Sequence, residues 1–259
     1  MYDEMKPILF SCPPEYDEVE VYCIHDVHFG NEMFRADKWK ALKEEILSKP
    51  NRYAIFVGDM MENAIPNSKS DIFTQTATPF EQQQWVTEQL VSLADRTIAI
   101  IPGNHENNRS TKTCGLYPLY DCAVMAGLKE RYRQNFAFVD IGVGKGGHGK
   151  GKQTHYAGYI VHKARDQKNF NSCDCIDGID FMLYGHDHDP KDHPRAKLVY
   201  SPNMKTVSLK NVEVVNSGSF LGYGGYAATS GYRPNSSKMY KLILSGTREK
   251  SIKTVGFCL

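Results

Sequence analysis

Three short apolar runs in the first half of the chain each end on a polar cluster, and this pattern narrows the fold more than any other feature. Residues 18–25 (EVEVYCIH) run into Asp26, Val27 and His28. Residues 52–58 (RYAIFVG) run into Asp59, and residues 96–102 (RTIAIIP) run into Gly103, Asn104, His105 and Glu106. Each run has the length and the β-branched or aromatic content of a buried strand. The stretches between them carry helical periodicity. Residues 37–48 predict a helix with Asp37 as N-cap and Trp39, Leu42 and Ile46 on one face. Thr78, Pro79, Phe80 and Glu81 form a capping box with proline at the first helical position, and open a helix over 78–95. A further helix is predicted over 117–128. This order predicts an α/β fold with neighbouring parallel strands. Ligands in such sheets collect at the carboxyl ends of strands, so the three clusters are expected to meet.

The second half is strand-rich. Strand-like runs lie at 136–141, 156–162, 179–184, 196–200, 212–216, 239–244 and 252–257. Residues 142–152 (GVGKGGHGKGK) read as a glycine–lysine loop, and 217–236, rich in Gly, Tyr and Ser, as a long surface loop. Neither an internal repeat nor a linker divides the chain. The expectation is one domain over residues 1–259, built on two mixed sheets packed face to face.

Bulk properties exclude little. At 259 residues the chain is long enough to bury a large core, and a net charge of +1 favours neither nucleic acid nor membrane. The N-terminal stretch (MYDEMKPILF) is acidic and mixed, unlike a secretory signal. Apolar runs stay short of a membrane span. The seven cysteines, at 12, 23, 114, 122, 173, 175 and 258, are odd in number and scattered, as expected for a reducing, cytoplasmic setting. Cys173 and Cys175 lack a second pair at zinc-finger spacing and read as loop thiols.

The late half supplies more candidate ligands. Gly185, His186, Asp187 and His188 follow the run 179–184, and the run 158–162 (GYIVH) ends on His162. The inventory at strand ends is then Asp26, His28, Asp59, Asn104, His162, His186 and His188. His155, seven residues upstream of His162, is the alternative to it. A mixed nitrogen and oxygen set suits Mn, Fe, Zn, Co or Ni and does not suit calcium. Seven ligands exceed one open tetrahedral site and fit two metals that share a carboxylate. His25 has the wrong parity beside Asp26 and reads as structural; His148 reads as a solvated loop residue. Arg109 is a candidate for a bidentate phosphate contact, with a surface arginine as its alternative. His193 lies close enough to the last motif to touch substrate. Lys145, Lys150 and Lys152 either track a polyanion or are solvated. Tyr223, Tyr226 and Tyr232 either stack on a base or pack their own loop.

The motifs D-V-H at 26–28, G-D at 58–59, G-N-H-E at 103–106, the strand-end His162 and G-H-D-H at 185–188 together resemble the calcineurin-like metallophosphoesterase family. V-N-S-G-S at 215–219 extends the likeness. The resemblance implies a four-layer α/β/β/α sandwich, with a core over about 18–220 completed by strands in 239–257. It implies that Asp26, His28 and His188 hold one metal, that Asn104, His162 and His186 hold the other, and that Asp59 bridges them. His105 would stand beside the metals as general acid or oxygen clamp. The implied reaction is in-line attack of metal-bound hydroxide on a phosphoester, with manganese the first-choice metal. The arginines of the protein Ser/Thr phosphatase motifs are absent from Gly58–Asn63 and from Pro102–Glu106, which disfavours a protein phosphatase. The motifs are closest to the repair-exonuclease branch, so a phosphodiester in nucleic acid or a nucleotide is the leading substrate. A phosphomonoesterase on a small metabolite is the alternative, and an inactive binding module the third reading.

Overall fold

The computed structural model describes residues 4–163 and 175–259, apart from 67, 69, 70, 148 and 150; the side chain of Tyr226 is also outside the description. The readings of His148, Lys150, Cys173 and the Tyr226 ring therefore fall outside the described residues.

The first half alternates as expected: β1 (Ile8–Ser11), β2 (Glu18–Ile24), α1 (Ala36–Leu47), β3 (Arg52–Val57), α2 (Pro79–Ser92) and β4 (Thr97–Ile101). The second half adds β5 (Phe136–Val143), β6 (Thr154–Val161), β7 (Phe181–Tyr184), β8 (Lys191–Asp192), β9 (Arg195–Ser201), β10 (Thr206–Asn216), β11 (Met239–Ser245) and β12 (Ile252–Phe257). A five-stranded sheet runs β12-β11-β2-β3-β4, with β2, β3 and β4 parallel and β11 antiparallel to β2. A seven-stranded sheet runs β1-β5-β6-β7-β10-β8, with β9 paired to β10. Both sheets are mixed.

The sheets pack face to face. Val21, Cys23, Ile55 and Ile101 of the small sheet share one buried cluster with Val139, Ile141, Phe181 and Val215 of the large one. Nearly every residue of β2, β3 and β4 is buried, because the opposite face of the small sheet is also covered. Trp39, Leu42 and Ile46 of α1 and Val86 and Leu90 of α2 pack there with Tyr22, Ile24 and Phe56. The outer face of the large sheet carries a third cluster, of Met182, Tyr184, Val212 and Val214 with Ile176 and Ile179.

The capping box at Thr78 and Glu81 forms as expected. Asp37 does not cap α1. Arg35 holds the N-cap position, and Asp37 sits in the first turn, where it accepts from the Arg35 guanidinium. An acidic residue there still complements the helix dipole. The segment 217–236 is not wholly a surface loop: Ser217 and Phe220 are fully buried, and Gly225–Thr229 forms a helical turn. β1 and the first half of β10 were not expected. The first is short, and the second is an exposed ribbon with a partly polar sequence, Thr206 to Asn211.

Candidate metal centre

The backbone itself marks the site. Seven described non-glycine residues have positive φ, and five of them are Asp26, His28, Asp59, His186 and His188. Such conformations are uncommon outside glycine and concentrate where function imposes them. They persist because the strands continue to pair through the bends: the Asp26 amide donates to the Gly58 carbonyl, and the His28 amide to that of Asp59. The loops after β3 and β4 touch through glycine. A Cβ on Gly58 would stand 2.3 Å from the Gly103 nitrogen, and one on Gly103 would stand 2.1 Å from Asp59 Oδ1. Only glycine lets the two loops approach this closely.

Asp26 divides the work of its two oxygens. Oδ2 accepts from His25 Nδ1 and from the His186 amide, the latter at 2.7 Å. Oδ1 is fully buried and has no hydrogen-bond partner. It lies 3.2 Å from His188 Nε2 and 3.5 Å from His28 Nε2. A buried carboxylate oxygen left in this way is costly without a cation. His25 is therefore structural in a specific sense. The Ser217 amide donates to its Nε2, so the ring proton sits on Nδ1 and points at Asp26.

The second cluster centres on Asp59. Its Oδ2 lies 3.2 Å from His162 Nε2, which is also 3.2 Å from Asn104 Oδ1. His162 Nδ1 donates to the Val57 carbonyl, which turns Nε2 toward these oxygens. Asp59, His162 and His186 can point ligand atoms at one position, and so can Asp26, His28 and His188. The strand-end histidine that joins the cluster is His162. His155 is exposed, begins β6 instead of ending it, and pairs with Asp140 at 2.7 Å.

His105 stands between the clusters. Its amide donates to Asp59 Oδ1 at 2.8 Å, and its Nδ1 donates to the Glu62 carbonyl at 2.7 Å. Nε2 is 3.8 Å from Asp59 Oδ2. His28, Asp59 and His105 form a third group able to converge on one ion. Burial pushes the His105 pKa down to about 4, against the pull of Asp59. The desolvation cost exceeds the attraction of the neighbouring carboxylates, which favours the neutral imidazole.

Two buried carboxylates were missed as functional parts. Glu106 accepts from the amides of Asp59, Met60, Met61 and Gly103, and so locks the Asp59 loop. Glu62 lies 3.1 Å from His28 Nδ1 and takes the Asn31 amide at 3.1 Å. The sequence signal was Glu106 as the last residue of the G-N-H-E motif and Glu62 three residues past Asp59. Arg109 donates to Glu62 Oε1 at 3.0 Å and to its carbonyl, so its guanidinium braces the site from the protein side. His193 packs on Tyr184, outside the three candidate ligand groups. The Tyr223 hydroxyl donates to the Tyr232 carbonyl and closes its own loop.

The charges interlock. Burial would raise the Asp26 pKa, but His188 and His25 outweigh it and hold it well below the carboxylate range. Burial opposes the protonation of His28 and His162, yet Asp26 and Glu62 raise the first to about 10, and Asp59 raises the second to about 9. Both imidazoles therefore hold protons at pH 7 that a metal must displace. Filling the centre at pH 7 is expected to release about two protons per chain. As pH falls below 9, each such imidazole should weaken apparent metal affinity by about tenfold per unit. Calorimetry in buffers of different ionisation enthalpy measures the release; proton-neutral uptake would show that His28 and His162 are already neutral at pH 7 and overturn their raised pKa values.

Comparison with known proteins gives the chain a family. The family model described as calcineurin-like phosphoesterase matches residues 20–190. A curated relative, the DNA polymerase II small subunit of Thermoplasma acidophilum, is 26% identical over 133 residues, covering 48% of this chain and 25% of that protein. This chain thus spans about a quarter of the relative's length. Among solved structures, a conserved protein of Streptococcus pneumoniae described as a predicted phosphoesterase aligns at 13% identity, TM-score 0.36, over 93% of this chain and 98% of that one. A metallophosphoesterase of Sphaerobacter thermophilus aligns at 13% identity, TM-score 0.39, over 92% and 88%. The family match spans well over half of the chain and covers the three early strand ends and the G-H-D-H loop; the chain belongs to the calcineurin-like phosphoesterase family.

Proposed function

We propose that this chain hydrolyses a phosphodiester, in nucleic acid or a nucleotide, with two divalent metals, manganese first among the candidates. The observation that carries the reading is the buried, unpartnered Asp26 Oδ1 facing two imidazole nitrogens, with a second Asp-His-His group beside it. Asp26, His28 and His188 would hold one metal, Asn104, His162 and His186 the other, and Asp59 both. When bound, such a pair polarises the phosphate and provides hydroxide at neutral pH.

The rest is done by the chain's own groups. Glu62 and the Val57 carbonyl aim the His28 and His162 rings. Glu106 fixes the Asp59 loop. His105 Nε2 would meet the leaving oxygen or a non-bridging one, a role supported by its position 3.8 Å from Asp59 Oδ2. An anionic phosphate beside it would draw its pKa up toward the working range. The name of the Thermoplasma relative supports a nucleic-acid setting. The scattered cysteines support a cytoplasmic one, and no helix among the described residues is long and apolar enough to cross a membrane.

The test is turnover of bis-p-nitrophenyl phosphate and of the mono-p-nitrophenyl ester with added manganese. The diester is expected to be cleaved and the monoester much less so. Cleavage of the monoester alone would assign a phosphomonoesterase, and cleavage of neither would leave a binding module.

A further inference from the structure

The glycine–lysine loop plays no part in the metal centre, yet it is built into the fold. The Gly146 amide donates to the Gly246 carbonyl, and Thr154 Oγ1 to that of Thr247. Gly144 has φ +63°, and a Cβ there would stand 2.4 Å from the Gly246 oxygen. A Cβ on Gly146 would stand 2.3 Å from the Thr247 carbonyl carbon. The glycines therefore let this loop press its backbone onto the turn between β11 and β12. Between loop and turn lies a pocket of about 590 Å³ lined by Gly147, Lys152, Thr154, His155, Arg248 and Lys250, among others.

The lining is cationic, and among the described residues no carboxylate lines it. Lys250 is partly neutralised by Asp180 at 2.6 Å, and His155 Nδ1 lies 2.7 Å from Asp140 Oδ1. Lys152 and Arg248 have no acidic partner among the described residues. Cations brought together by close glycine packing, with hydroxyl and amide groups between them, suit a phosphate group. The pocket is not part of the metal centre. Thr154 opens β6 and His162 follows its end, so the two sites are about 25 Å apart at roughly 3.3 Å per residue.

We propose that this pocket is a second anion site, at the opposite pole from the metals, that binds a phosphate group of a phosphorylated ligand. It does not depend on which ester the metal centre cleaves. The phosphate has two possible sources: the backbone of a nucleic acid long enough to reach both poles, or a small phosphorylated molecule held there alone.

The test compares the parent with K152E/R248E and the milder K152Q/R248Q. A labelled single-stranded 20-mer with a hydrolysis-resistant phosphorothioate backbone and inorganic pyrophosphate are titrated against the metal-loaded proteins, and bis-p-nitrophenyl phosphate turnover is followed in parallel. For a backbone source, the charge reversal should weaken oligonucleotide binding at least tenfold. It should also lower the salt slope by about 1.4, for two lost contacts on a single strand. For a small-molecule source, only the pyrophosphate isotherm should lose a binding event. Small-diester turnover should be unchanged in either case. Unchanged binding of both probes in both variants overturns the site. Absence of diester turnover in the parent would count against the proposed reaction and leave the binding comparison intact.

Discussion

Asp59→Asn is expected to lower turnover by about a thousandfold and to remove at least one equivalent of bound metal. The size follows from the position. Asp59 is fully buried, its Oδ2 faces His162 at 3.2 Å, and its Oδ1 takes the His105 amide at 2.8 Å. An asparagine can keep the second contact, so the loop should stay in place. It cannot supply the negative charge that two cations would share. Several kcal/mol of charge stabilisation are then lost, and each 1.36 kcal/mol is a factor of ten in rate. Metal content by elemental analysis separates this outcome from misfolding, together with a thermal melt. His155→Ala is the control: it removes a histidine of β6 that points at Asp140, away from the Asp59 cluster, and it should change neither metal content nor the turnover of bis-p-nitrophenyl phosphate. A full complement of metal in Asp59→Asn would sink the bridging role.

Much of this site was legible because its residues sit where strands stop. An apolar run ending on Asp or His forces the polar group to the sheet edge, and parallel strands bring such edges together. That logic points to Asp26, Asp59, Asn104 and His186 from the sequence alone. It favours His162, which ends the apolar run, with His155 as the alternative at the other end of the same strand; the direction of β6 brings His162 to Asp59 and Asn104. Supporting groups were harder to see. His25 was set aside on parity, and its link to Ser217 depends on the late loop folding back beneath β2. Glu62 and Arg109 act through each other and through His28, pairings that span 47 and 34 residues respectively. In the fold, the exposed half of β10 escaped detection because its alternation is mixed and its stability comes from pairing with β9.

His105→Ala is expected to slow turnover by about a hundredfold to ten-thousandfold, the usual range for losing a positioned acid, while both metals stay bound. The geometry supports the second half of this statement. His105 Nε2 stays 3.8 Å from Asp59 Oδ2, farther than the 3.2 Å of His162, and its Nδ1 is committed to the Glu62 carbonyl. Because His28, Asp59 and His105 could also converge on an ion, loss of metal in this variant would make His105 a ligand instead. The first half depends on the leaving group. Burial holds the His105 pKa down at about 4, so a phosphate must raise it before it can donate. Donation matters little when the leaving group is p-nitrophenolate, which departs as a stable anion. It matters greatly for an alkoxide such as a nucleoside oxygen. The defect in His105→Ala should therefore be small on bis-p-nitrophenyl phosphate and at least tenfold larger on a dinucleotide. Equal defects on both would assign His105 to gripping a phosphate oxygen, because that contact is indifferent to which group leaves.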